Sequence, residues 1–191
     1  MNRREALSSV AVLLGGTIIG AEAFLSGCKL SDKKTAGTLD FSKENIAFLD
    51  EVGETILPAT ASSPGAKEAR IGEFMKTIVT DCYEDGDHKT FMEGIGKLNE
   101  ASKAKYSKDF MELAPTEKHD LLVILDKEAK DYQKAKKAED PNHYFHLMKQ
   151  LTLWGFFTSE PGATKALRYI AVPGHYDGCV PYKKGDKAWA T

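Results

Sequence analysis

The sequence predicts an all-α protein, a bundle or array of about five helices with an irregular C-terminal tail. Three observations carry that prediction. Apolar residues recur at helical spacing in five successive stretches after residue 40. The strict apolar–polar alternation of a half-buried strand is nearly missing. Proline and glycine clusters separate the periodic stretches, where turns are needed. The 191 residues hold 26 basic and 28 acidic side chains, a net charge of −2. Such a balance lacks the electrostatic footprint of nucleic-acid binding.

The first residues read as an export signal rather than fold. "MNRREALSS" pairs Arg3 with Arg4, and 10–24 follow as an apolar run softened by three glycines. The run is too short for a comfortable membrane span, which needs ~20 apolar residues. A basic head, a short apolar run and a small-residue exit suit a secretory signal. The paired arginines resemble a twin-arginine signal, although Ala6 stands where a larger apolar residue is common. "LSGC" at 25–28 resembles a lipobox, with Cys28 as the lipidated residue. The expected organisation is a twin-arginine-like lipoprotein signal over 1–27, a lipidated end and polar tether over 28–40, and a helical domain over 41–191. That places the protein on the periplasmic side, anchored to a membrane by lipid.

The helices follow in order. In 40–58, Ile46, Leu49, Val52, Ile56 and Leu57 form one stripe, Ser42 can cap it, and Pro58 stops it. In 67–83, Ile71, Phe74, Met75, Ile78, Val79 and Cys82 repeat with helical spacing. "EDGD" reads as a turn. The stretch 88–104 carries Phe91, Ile95 and Leu98, with Gly94 and Gly96 either weakening it or allowing close packing. Over 113–140, Pro115 suits a first helical position and Leu121, Leu122, Leu125, Ala129 and Tyr132 face inward, before a charged extension. The richest apolar helix spans 141–160, and 161–170 can add a short sixth one after Pro161.

Chemistry is harder to find. The chain has no G-x-G-x-x-G after a strand, no phosphate-binding G-x-x-x-x-G-K-[ST], and no C-x-x-C. His143 and His146 share a helix face at i, i+3 and could join a third metal ligand. More simply, they straddle a helix start near Pro141, and that reading is preferred, leaving no metal site. His175 and Asp177 could serve an enzyme, with Arg168 beside them and Ser159 or Thr158 as nucleophile, but no nucleophile-elbow motif accompanies them. The plainer reading is turn chemistry, Pro-Gly at 173–174 and Asp-Gly at 177–178. Arg168 then has a carboxylate such as Glu160 or Asp177 to meet. Cys82 and Cys179 can form a disulfide that pins the tail, or stand as two separate thiols. Trp154, Gly155, Phe156 and Phe157 cannot all face one side of a helix, so aromatics are expected on the surface, where they favour protein contacts.

"ETILPAT…SPGA" and "GFFTSEPGATKALRYIAVPGHYDGCVPYKKGDKAWA" resemble the gluconate 2-dehydrogenase subunit 3 family, over roughly 42–191. The resemblance implies a helical, non-catalytic small subunit with no cofactor of its own. It implies as partner a flavoprotein of the glucose–methanol–choline type, which carries FAD, and often a cytochrome c subunit with haem c. It further implies passage through the twin-arginine translocase and support for flavoprotein maturation. The contact residues expected on this reading are Trp154, Phe156, Phe157, Arg168, Tyr169, His175, Tyr176 and Tyr182. The alternatives are a stand-alone envelope lipoprotein, or an enzyme using His175 and Asp177.

Overall fold

A computed structural model describes residues 41–172, 174, 175 and 178–190. The signal and tether readings, with Arg3, Arg4 and Cys28, lie outside the described residues, as do Tyr176 and Asp177. Among the described residues five α-helices follow one another: α1 (Lys43–Ile56), α2 (Ile71–Cys82), α3 (Asp85–Tyr106), α4 (Pro115–Ala135) and α5 (Tyr144–Thr158). A 3-10 turn (Phe110–Glu112) precedes α4, and a π-helical turn (Gly162–Ala166) follows α5. The described residues hold no strand, only two isolated bridges, Thr60 with Ser63 and Arg168 with Trp189. The all-α expectation therefore holds.

Local chemistry sets the helix ends. Ser42 Oγ accepts a hydrogen bond from Asn45 N at 3.2 Å and caps α1. The stretch from Lys67 becomes helical only at Ile71, because Arg70 adopts a left-handed backbone (φ 52°) and interrupts the winding. α3 starts three residues earlier than His88, so "EDGD" is not a free turn. Asp85 and Asp87 occupy the first turn of α3, where the positive end of the helix dipole favours them. Pro115 does open α4, and Ala114 N donates to Glu117 Oε2 at 2.9 Å. The charged extension is shorter than expected: α4 ends at Ala135, and Asp140 Oδ2 accepts from Lys137 N at 2.8 Å in the turn that follows. Residues 161–170 form a π-helical turn that ends at Ala166, rather than a helix through Ile170.

α5 is the organising helix. It is apolar around most of its circumference, and such a helix belongs in the middle of a fold. It packs against α1, α2, α3 and α4. Phe145, Met148 and Leu151 of α5 meet Leu49, Met75 and Phe91 in the buried core. Each such side chain contributes roughly 1.5–3 kcal/mol by leaving water. Gly94 settles one open question. A Cβ there would lie 2.5 Å from Tyr144 Cβ, so this glycine lets α3 close on α5.

Among the described residues the three buried polar side chains, Ser102, Lys118 and Thr152, all find partners. Ser102 donates to Lys108 O and Thr152 to Met148 O, each at 2.8 Å. Lys118 is buried with its Nζ on Glu51 Oε1 at 2.7 Å, and Glu51 also pairs with Lys67. Burial pushes the Glu51 carboxyl up, but hydrogen bonds and charge from Lys118 and Lys67 outweigh it and hold it below the ordinary range.

Candidate partner-docking surface

The 100° step between helical residues divides α5 into two stripes. Met148, Leu151, Thr152, Gly155 and Phe156 face the core. Leu153, Trp154 and Phe157 face outward, with Trp154 50% and Phe157 41% exposed. Phe156, expected among the contact residues, is only 2% exposed. It falls four residues after Thr152 and eight after Met148, on the buried stripe, so it belongs to the core and not to the surface.

Trp154 is held rather than loose. Its indole meets the Phe74 ring edge-on, with centroids 5.5 Å apart and planes at 89°. Gly155 makes room for that ring: a Cβ at 155 would come within 2.5 Å of Phe74. The sequence Trp-Gly thus places an indole outward and a neighbouring phenyl behind it. Beside them lies a shallow hollow of about 260 Å³ lined by Tyr83, Gln150, Leu151 and Trp154. Burial, helped by Asp87, raises the Tyr83 hydroxyl pKa, so it stays protonated as a hydrogen-bond donor.

After α5 the chain folds back as a strap tied at its neck. Arg168 N donates to Ala188 O at 2.8 Å, and Ala190 N donates to Arg168 O at 2.7 Å. The Arg168 guanidinium sits 4.5 Å from the centroid of the Trp189 ring, a cation–π contact. Its Nε is buried without a hydrogen-bond partner. Among the described residues it forms no ion pair, so the expected Glu160 contact is replaced by an aromatic face. Lys187 Nζ adds a bond to Lys165 O, and Lys165 pairs with Glu68. The Glu68 carboxylate bonds and faces that ammonium, raising the Lys165 pKa.

The strap's base rests beside a second ordered loop. Glu54 Oε1 accepts from Ala59 N and its Oε2 from Lys67 N, each at 2.9 Å, clamping both ends of 59–67. A polar cleft of about 520 Å³ separates this loop from Thr164, Lys165 and Lys187.

The other expected site residues scatter. Tyr169, His175 and Tyr182 are exposed along the strap, Tyr182 at 73%. Ser159 Oγ donates to Phe156 O at 2.6 Å and accepts from Gly162 N, while Thr158 Oγ1 donates to Trp154 O at 2.7 Å. Both hydroxyls therefore finish the helix rather than meeting His175. His143 is the N-cap of α5, its Nδ1 accepting from Phe145 N at 3.2 Å, and burial lowers its pKa. Burial and the charge of Glu128 push the neighbouring Tyr144 up to about 12. No group of three His, Cys, Asp or Glu among the described residues is placed to hold a metal ion. Cys82 and Cys179 stand as separate, exposed thiols, so the strap is tied by Arg168 and Trp189 and not by a disulfide. No helix among the described residues is long and apolar enough to cross a membrane.

Trp189 and Glu54 were not legible as site-building residues. Trp189 finds its partner 21 positions upstream, and Glu54 reaches 13 positions ahead to Lys67. No local pattern announces either contact.

The family model for gluconate 2-dehydrogenase subunit 3 matches residues 43–174. The match covers all five helices, the α5 surface and the first part of the strap, and it stops short of 175–191. No solved structure matches the chain.

Proposed function

The chain belongs to the gluconate 2-dehydrogenase subunit 3 family, and from that premise we propose that it is a non-catalytic small subunit of a membrane-associated, FAD-dependent sugar or sugar-acid dehydrogenase. Its partner is a flavoprotein of the glucose–methanol–choline type, which holds the FAD; a third subunit can bring haem c. The observation that carries the reading, beside the family, is the exposed aromatic stripe of Trp154 and Phe157 on an otherwise well-buried helix. Exposed aromatics braced from behind favour burial against another protein. A standard interface takes about 800 Å² from each partner, and the exposed side chains of the strap can extend the α5 stripe toward that size.

In this reading the N-terminal segment serves the whole complex. Arg3 and Arg4 direct the folded pair through the twin-arginine translocase, and lipidated Cys28 tethers it to the membrane. The small subunit supports maturation of the flavoprotein before export.

Co-expression of the full chain with its flavoprotein tests this. The expected result is a stable complex whose flavoprotein, without this chain, stays in the cytoplasm. Arg3→Lys with Arg4→Lys should retain both proteins inside, and Cys28→Ala should release the complex from membranes. A flavoprotein that reaches the envelope active in the absence of this chain would overturn the escort role.

A further inference from the structure

We infer that the strap, tied at its neck, is a docking loop for a carboxylate-rich face on a folded protein partner. The inference rests on the reading of this chain as an accessory subunit and names the chemistry of the surface it meets. Charge is unevenly divided along the chain. Residues 41–160 hold 16 basic and 22 acidic side chains, whereas 161–191 hold five basic and two acidic ones. A basic strap thus sits on an acidic helical body.

Three of the five cations are engaged within the chain, Lys165 by Glu68, Lys187 by Lys165 O and Arg168 by the Trp189 ring; the other two are presented outward. Lys183 and Lys184 are exposed, and among the described residues neither side chain is in an ion pair. The acid beside them is turned inward: Asp186 Oδ2 accepts from Lys183 N at 2.9 Å, and Asp186 N donates to Lys183 O at 3.0 Å. That turn uses the carboxylate on backbone and leaves the lysine charges outward. Apolar side chains accompany them, with Val172 80% and Tyr182 73% exposed and Tyr169 and Val180 also open to solvent.

A protein face explains this better than a lipid surface does. The neck is fixed by two backbone hydrogen bonds and the Arg168–Trp189 contact. Closure at the neck reduces the ordering cost of binding to a shaped surface. A fluid headgroup layer makes no use of a fixed shape. The strap also continues from α5 through the π-helical turn, so it lies in sequence beside the aromatic stripe that the partner is proposed to cover.

The test uses the full chain co-purified with its flavoprotein. Lys183→Glu with Lys184→Glu should slow association by ~10-fold or more at low salt, an effect that added salt erases. Lysines substituted for carboxylates on the flavoprotein face should restore the rate. A complex that forms with the same rate and salt dependence after charge reversal overturns the inference and leaves the subunit reading intact. Absence of any complex with the unaltered chain overturns both. Charge-dependent binding of the Cys28→Ala chain to phosphatidylcholine–phosphatidylglycerol vesicles, with the flavoprotein rate unchanged, assigns the strap to lipid and overturns the inference.

Discussion

Asp50 of α1 caps α2: its Oδ1 accepts a hydrogen bond from the backbone N of Gly72 at 2.8 Å. α2 needs this help, because Arg70 at its own N-cap is left-handed and offers no side-chain bond. The cap comes from another helix, so it joins helix termination to tertiary packing. Asp50→Ala should cost about 1 kcal/mol, lowering the melting temperature by roughly 2–4 °C for a chain of this size. Asp50→Asn keeps an acceptor and should cost less. Burial raises the Asp50 pKa, against the Gly72 bond and Lys67. A raised acid pKa means that native Asp50 holds its proton more tightly than the unfolded chain does. Its contribution therefore falls as pH rises through the folded value. Asparagine lacks that penalty, so its stability relative to the native chain should improve across the carboxylate range. Urea unfolding on either side of that range reads the difference.

Glu51 gives the opposite sign. Its pKa is held down by Lys118 and Lys67 despite burial, so its contribution is complete above the ordinary glutamate value of about 4.3 and is lost as pH falls through the lower folded value. Glu51→Gln leaves Lys118 buried beside Phe110 without its counter-charge. The expected loss is about 3 kcal/mol. Lys118→Met should cost less, since Glu51 keeps Lys67 and the methionine fills the space. Chemical unfolding of the two variants and the double variant tests whether the pair, not the volume, matters.

Ser107 ends α3 in a left-handed backbone at φ 58°, its N–H donating to Lys103 O at 2.9 Å. Glycine adopts that conformation without a Cβ penalty. Ser107→Gly should stabilise the protein by roughly 0.5–1 kcal/mol. Thermal unfolding checks it, and a lower melting temperature would count against the cap geometry.

The periodic helices were legible because burial of one stripe is a local property of spacing. The ends were less so. Arg70 delayed α2 through its own backbone conformation, and Asp85 and Asp87 extended α3 through the helix dipole, where composition suggested a turn. The aromatic run in α5 announced a surface but not its members. Phase assigns them: Phe156 follows Thr152 inward, and Phe157 follows Leu153 and Trp154 outward. The strap's neck escaped the sequence because Arg168 and Trp189 meet across an irregular stretch with no period to read.

Adjacent phenylalanines on α5 provide the sharpest separation of folding from docking. Phe156 is buried and its ring lies 5.1 Å from that of Phe157, nearly edge-on. Phe156→Ala removes a core side chain and should cost about 3–5 kcal/mol of stability. Phe157→Ala and Trp154→Ala remove half-exposed rings and should each cost about 1 kcal/mol or less. On binding the order reverses. A braced aromatic at the centre of an interface carries about 2 kcal/mol or more, so Trp154→Ala should weaken the flavoprotein complex roughly 30-fold or more. Gly155→Ala should weaken it as well, without touching the partner, because the new methyl displaces Phe74 and with it the indole. Melting temperature and complex dissociation constant, measured on the same four variants, decide the matter. Loss of binding that tracks loss of stability across all four would remove the α5 stripe as the docking surface.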